Sequence, residues 1–143
     1  QMHNPYANSL HEHYCRRWIS INSIRHVGEQ VAKKKYKHPV VEAQISQYWQ
    51  THNRYLCISI GKPSSKGSDE MVSVTIGLSI DQKLLQMMPF VNDAAIPVRT
   101  VHTTCERCGI MDCLERAAAP VEILKQQQQK RMGVAMGLLD EKG

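Results

Sequence analysis

The chain of 143 residues is long enough for one compact domain with its own hydrophobic core. Its hydrophobic share of 42% and charged share of 22% are those of a soluble globular protein, and no apolar run approaches the roughly 20 residues of a membrane span. A membrane protein is therefore excluded, and the formal net charge of +5 is compatible with anionic partners.

The N-terminus and the cysteines both bear on where the protein is located. The chain starts at Gln1 without the basic and apolar plan of a signal peptide, which predicts a cut piece of a longer protein. The five cysteines are an odd number, and three of them fall between residues 105 and 113. This distribution is typical of a metal site in a reducing compartment, so we expect a cytoplasmic protein.

The first half of the chain contains one helical pattern and two strand patterns. Residues 1–14 are polar and predict an irregular lead-in. Apolar residues at spacings of three and four predict a helix over Arg17–Tyr36, and Gly28 is the position where an interruption or an end is expected, if there is one. Alternating patterns over Val40–Trp49 and Arg54–Ile60 predict two strands joined as a hairpin.

The second half adds two strands and two helices after a loop at Lys62–Glu70. We expect strands over Met71–Ile80 and Ala94–Val101, with a short helix between them that is capped by Ser79 or Asp81. Residues 15–120 are then a sensor-like domain, and residues 121–143 are a helical tail. The predicted fold class is α+β, with a small antiparallel sheet flanked by helices, similar in idea to a GAF-type sensor.

Cys105, Cys108 and Cys113 have the spacing of a zinc knuckle. A tight turn after the first cysteine lets two thiolates reach one tetrahedral ion at about 2.3 Å, and Gly109 suits such a turn. The fourth ligand could be His102, Cys15 or Cys57, and cysteine chemistry alone does not decide between them. Four thiolates would close the site to water, which predicts a structural Zn²⁺ ion, whereas a Cys105–Cys108 redox pair is the competing interpretation.

The segment 105–120, CERCGIMDCLERAAAP, resembles the C-terminal domain of the short-chain fatty-acyl transcriptional regulators of bacteria. These regulators carry an Xre-type helix-turn-helix and a segment of the ImmA/IrrE metallopeptidase kind upstream of a Cys-x2-Cys-x4-Cys-x2-Arg-Ala-x-Pro-Pro signature. Here Ala119 stands at the first of the two prolines. Their early cysteine followed by Trp matches Cys15 and Trp18, and their Pro after that cysteine is Arg16. Their Gly-Cys-Asp on a later strand is replaced by Leu78-Ser79-Ile80-Asp81. The resemblance implies Cys15 as the fourth ligand, with His102 as the alternative.

The resemblance also implies a function without catalysis. It predicts a regulatory domain of a bacterial transcriptional regulator that senses a small metabolite, with an acyl-CoA-like molecule as the candidate ligand. Seven basic residues and one acidic residue lie between positions 16 and 37, and Arg16, Arg17 and Arg25 are the candidate head-group residues. We expect DNA contact through an N-terminal domain outside this chain, no membrane partner, and a homodimer because such regulators read two half-sites.

Two other functions compete with this interpretation. The cysteine cluster and the basic stretch are also compatible with a zinc-knuckle module that binds nucleic acid directly. A metalloenzyme fragment is suggested by His11-Glu12-His13, but His11 and His13 lie about 200° apart on a helix and cannot share a metal as in His-Glu-x-x-His. No catalytic residue is predicted, and the interpretation is not an enzyme.

Overall fold

The computed structural model describes residues 12–65 and 70–140, so most of the predicted lead-in and part of the predicted loop at Lys62–Glu70 lie outside the described residues. The chain divides into two compact units. The sheet unit is Arg16–Val101, and the cysteine unit consists, among the described residues, of 12–15 and 102–140. Each unit has its own architecture.

Over its described residues, 16–65 and 70–101, the sheet unit contains two helices, four strands and one 3₁₀ turn. In chain order these are α1 (Ile19–Ala32), β1 (Val40–Tyr48), β2 (Arg54–Pro63), β3 (Met71–Ser79), α2 (Gln82–Met87), the 3₁₀ turn Pro89–Asn92 and β4 (Val98–Val101). The cysteine unit contains α3 (Val121–Asp140). The α+β class is confirmed, and every predicted helix and strand is present within a few residues of its expected bounds.

The sheet is mixed, which corrects the prediction of an antiparallel one. Its strand order is β3-β2-β1-β4, with β1–β2 and β2–β3 antiparallel and β1–β4 parallel. The hairpin between β1 and β2 is confirmed. Strand β3 runs in the same direction as β1, because both are antiparallel to β2. The segment between β3 and β4, which contains α2 and the 3₁₀ turn, is long enough to cross over the sheet, so the short β4 again runs in this direction and pairs with β1 in parallel.

Helix α1 is shorter at both ends than its apolar pattern predicts, although it continues through Gly28. It ends where Lys34 takes a left-handed backbone conformation with φ of 54°. There the N–H groups of Lys33 and Lys35 donate to the carbonyls of Glu29 and Gln30, which satisfies the last turn. The cap of α2 is Asp81, whose carboxylate accepts from the Leu84 N–H at 2.7 Å.

The two faces of the sheet differ in chemistry. One face packs Ile45 and Leu56 against Val91 of the 3₁₀ turn, and these three side chains form the apolar core of the unit. The opposite face is polar and lies under α1. There the buried Gln44 donates to the Arg17 carbonyl at 3.1 Å and to Ser46 Oγ at 2.9 Å, so burial of these polar groups costs little.

Candidate functional site

A short backbone bridge brings Cys15 to the cysteine cluster. Tyr14 pairs with Thr104 in antiparallel fashion, the Cys15 N–H donates to the Thr103 carbonyl at 3.1 Å, and the Cys105 N–H donates to the His13 carbonyl at 2.8 Å. Side chains alternate across such a pair, so Cys15 and Cys105 point to the same face as diagonal neighbours. The fold therefore joins residues that are ninety positions apart in sequence.

The segment that follows Cys105 folds back so that a backbone N–H group reaches the Cys105 sulfur atom. The Cys108 N–H donates to the Cys105 carbonyl at 3.3 Å, and the Ala117 N–H donates to Cys105 Sγ at 3.4 Å. Cys15, Cys105 and Cys108 are at most 8% exposed, and Cys113 is half-buried. Backbone N–H groups that donate to a ligand atom help to orient it.

Arg116 holds this loop together through its guanidinium group. Its Nη1 donates to the carbonyl of Cys105 at 2.7 Å, and its Nη2 donates to those of Cys108 at 3.0 Å and Ile110 at 2.6 Å. A planar group with five N–H donors can reach several carbonyls that no strand or helix satisfies. Arg116 belonged to the sequence signature, but only the tertiary structure assigns it this positioning role.

Two carboxylates clasp the N-terminal end of the unit to the cysteine loop. Glu12 accepts from Arg107 Nε and Nη2 at 2.9 and 2.7 Å and from Thr104 Oγ1 at 2.6 Å. The bonds from Arg107 hold the pKa of Glu12 below its ordinary value, against the opposing effect of burial. Local sequence patterns contain no signal for this pair, because Glu12 and Arg107 are 95 positions apart.

Glu106 makes the second clasp. Its carboxylate accepts from the His13 backbone N–H at 3.0 Å and lies 2.7 Å from His13 Nδ1. Burial raises the pKa of Glu106, but the hydrogen bonds from His13 outweigh this effect and leave the pKa below its ordinary value. Glu12 and His13 thus serve as structural partners, while His11 lies outside the described residues.

His102, the alternative fourth ligand, is half-buried next to the cluster. Its Nδ1 lies 3.1 Å from Thr103 Oγ1. Burial and then the positive charge of Arg107 lower the pKa of His102, so the neutral imidazole that a metal requires is favoured. The burial of Cys57 in the sheet unit raises the pKa of its thiol, which favours the protonated form that does not bind a metal.

The described residues contain no group of three or more His, Cys, Asp or Glu side chains arranged to hold a metal ion. None of the five cysteines, all of which lie in the described part of the chain, forms a disulfide. The four predicted ligands are thus in one unit, with Cys15 and Cys105 on one face and Cys105 near an N–H donor, but their sulfur atoms are not gathered around one point. Thiolates are donor groups that zinc prefers, so the chemistry of the four side chains is suited to that ion.

The three arginines predicted to hold a ligand lie near the start of α1 and along it. Arg16 is half-buried just before the helix, and Arg17 donates from Nη1 to the Thr100 carbonyl at 3.4 Å. Arg25 is exposed on α1. Arg17 is thus partly committed to the backbone of β4, whereas Arg25 has its side chain available at the surface.

Comparison with known proteins gave no identification. No family model, curated protein or solved structure matches this chain. Among the described residues, no helix combines the length and the apolar character that crossing a bilayer requires. The class of protein that fold and site define is therefore an α+β protein with a separate, cysteine-rich unit.

Proposed function

We propose that this chain is a non-catalytic regulatory domain in which a four-thiolate zinc ion stabilises the cysteine unit. One observation carries the proposal. Among the described side chains of this unit, the buried ones are Cys15, Thr104, Cys105, Glu106 and Cys108, without a single buried aliphatic or aromatic residue. A unit without an apolar core needs a disulfide or a metal to be stable.

The chemistry of the donors favours zinc over a disulfide. Zinc binds deprotonated thiolates, and its binding free energy then becomes folding free energy of the unit. Cys15, Cys105, Cys108 and Cys113 are the ligands in this proposal. The N–H of Ala117 donates to Cys105 Sγ, and Arg116 holds the carbonyls of the loop. With four protein ligands the site has no open position, so a structural role follows.

The test is metal content per chain in the wild type and in matched cysteine variants. We expect one zinc ion per chain, lost in Cys15→Ser, Cys105→Ser, Cys108→Ser and Cys113→Ser and retained in Cys57→Ser. His102→Ala decides between the two candidates for the fourth ligand. Retention of zinc in Cys15→Ser with loss in His102→Ala assigns His102, and a wild type that contains no metal but a Cys105–Cys108 disulfide contradicts the proposal.

The regulatory part of the proposal rests on the resemblance of residues 105–120 to the short-chain fatty-acyl regulators and on the cations of α1. In this proposal an attached N-terminal domain contacts DNA, and an acyl-CoA-like ligand binds through its phosphates near Arg16, Arg17 and Arg25. Arg25 is the sharpest probe because its side chain is exposed. Calorimetry with short acyl-CoA thioesters should show binding that weakens in Arg25→Glu, while Lys130→Glu on α3 serves as the charge-matched control.

Direct binding of nucleic acid is the second candidate function. The observation that favours it is the exposed run Lys33, Lys34 and Lys35 at the end of α1, which adds to Arg25 on the same helix. Binding of this kind weakens steeply as the salt concentration rises, because the release of counterions condensed on DNA then gains less free energy. Affinity for a random DNA duplex that falls by orders of magnitude between low and physiological salt, and that is lost in a triple Lys→Gln variant, would favour this function.

A further inference from the structure

The sheet unit exposes a set of β-branched side chains on the face opposite α1. Their exposed fractions range from 39% for Val72 to 70% for Val74. The set consists of Val41, Ile60, Val72, Val74 and Ile76, and we refer to it as the open apolar face. Exposure of this extent is uncommon, because a folded sheet normally buries at least one face and places polar groups on the other.

The register of the strands shows that these residues form one continuous surface. Val41 of β1 pairs with Ile60 of β2, and Ile60 pairs with Val74 of β3. Side chains two residues apart on a strand share a face, so Val72 and Ile76 flank Val74 on the same side. The patch thus spans three neighbouring strands rather than being scattered single residues.

The composition of this surface favours an apolar partner. The next residues on the same face are Ala43 and Ile58, which pair with each other, and the charged side chains Lys62 and Arg54 come only at the two ends of β2. Edge strand β3 contains no charged residue and no proline over Met71–Ser79. Strands that remain exposed usually carry such residues, because they prevent association.

We propose that the open apolar face packs against the same face of a second copy of this chain, related by a two-fold axis. A patch of five partly exposed Val and Ile side chains measures on the order of 450 Å², within the range of the largest patches on single chains, which are often functional. Packing two such patches together removes about 900 Å² from water, and burial of the side chains around them adds to this area, toward the roughly 1,200 Å² at which specific interfaces begin.

A second copy fits this surface because an isologous interface requires a patch that is complementary to itself. A patch made entirely of Val and Ile meets that requirement because aliphatic contacts have no donor or acceptor side, and the cations Lys62 and Arg54 at the ends of β2 lie outside the five residues of the patch. Facing sheets pack about 10 Å apart through interdigitating side chains of this kind. The inference depends only on the sheet unit, and it stands or falls separately from zinc and ligand binding.

The test is the oligomeric state of the wild type and Val41→Glu by sedimentation velocity across micromolar concentrations. The wild type is expected to be a dimer. Val41→Glu buries two uncompensated charges at the interface and should weaken the dimer by about 100-fold or more. Val41 is already 63% exposed, so this variant is expected to fold, which circular dichroism verifies on the same sample.

Leu114→Glu is the matched control, because Leu114 is 99% exposed and belongs to the cysteine unit. It should remain dimeric. A wild type that is monomeric at all concentrations overturns the inference. A Val41→Glu variant that remains dimeric also overturns it, because β1 is separated by β2 from edge strand β3, where edge-to-edge pairing would take place.

Discussion

Arg116 shows how a single side chain can organise a loop that has no regular secondary structure. Its guanidinium donates to the carbonyls of Cys105, Cys108 and Ile110. The compact ammonium group of a lysine cannot reach all three in the same geometry. The hydrogen bonds of Arg116 therefore define the conformation of the loop without the help of a metal ion. Residues that orient the ligands of a metal often affect affinity almost as strongly as the ligands themselves.

We predict that Arg116→Lys destabilises the protein by about 2–4 kcal/mol, because several buried carbonyls lose charged donors. Zinc affinity should fall about 10–100-fold in the same variant. Urea denaturation and competition with a metal-binding dye measure the two effects. Arg131→Lys, on the exposed surface of α3, is the matched control, and equal behaviour of the two variants would contradict the positioning role.

Glu12 provides a prediction about acid stability. Its pKa is lower in the folded chain than the ordinary value of 4.5, owing first to the hydrogen bond from Arg107. The carboxylate consequently stabilises the fold at pH values above 4.5, and this contribution is lost as the pH falls through the lower folded pKa. The groups that face it are Arg107 and Thr104, and Arg107 is also influenced by Glu106 and Glu122.

Between pH 7 and pH 3.5, the wild type should lose more stability than Glu12→Gln, which has no proton to gain at this position. Chemical denaturation of both proteins at the two pH values measures the difference, and protonation of zinc thiolates, which is common to both proteins, cancels in the comparison. Glu70→Gln, which alters an exposed carboxylate, serves as the control. Parallel losses in wild type and Glu12→Gln would exclude Glu12 as a contributor.

At the scale of elements, the packing of α1 on β2 depends on a close approach at Gly61. A Cβ atom added there would lie 3.0 Å from Val27 Cγ2 and 3.1 Å from the Ser23 carbonyl oxygen. Both belong to the buried side of the helix, where Ser23 Oγ also donates to Glu42 at 2.7 Å. The helix can thus approach the polar face of the sheet because β2 has no side chain at this position.

Gly61→Ala is predicted to destabilise the protein by about 1–3 kcal/mol, since the backbone of α1 must shift. Gly28→Ala is the matched substitution within α1, where the nearest atom, Met71 Cγ, is 4.0 Å away. It should stabilise by about 0.5–1 kcal/mol through helix propensity. Thermal unfolding measures both, and a neutral Gly61→Ala would show that the helix is not closely packed at this point.

At the scale of the whole molecule, the two units differ in what stabilises them. The sheet unit has an apolar cluster around Ile45, Leu56 and Val91 and a continuous hydrogen-bonded ladder. The described part of the cysteine unit has hydrogen bonds, ion pairs and buried thiols instead. Its stability is therefore expected to depend on metal far more directly than that of a unit with its own core.

Chelation should consequently raise amide hydrogen-exchange rates in residues 102–120 by about tenfold or more, since opening of this unit no longer costs metal binding. Mass spectrometry of exchanging peptides measures the effect, with β2 as the internal reference because it is paired on both sides. Unchanged exchange in 102–120 after complete removal of zinc would show that metal does not stabilise the loop.

Local sequence patterns determined the identity of the elements. Alternation predicted β1, β2 and β3, apolar spacing of three and four predicted α1, and the spacing of Cys105, Cys108 and Cys113 predicted a candidate metal site. These features follow from the periods of strands and helices and from the reach of neighbouring side chains. They require no knowledge of which distant segments meet.

Only the tertiary structure decided the partners. Three contacts could not be predicted from local sequence patterns: the parallel pairing of β4 with β1, the position of Cys15 beside Cys105, and the carbonyls bound by Arg116. The polar face under α1 also depends on the tertiary structure. Gln44 and Ser46 are buried there, and the hydrogen bond between their side chains offsets the cost of burying polar groups. Pairing is set by the free energy of the whole packed chain, which a local pattern does not contain.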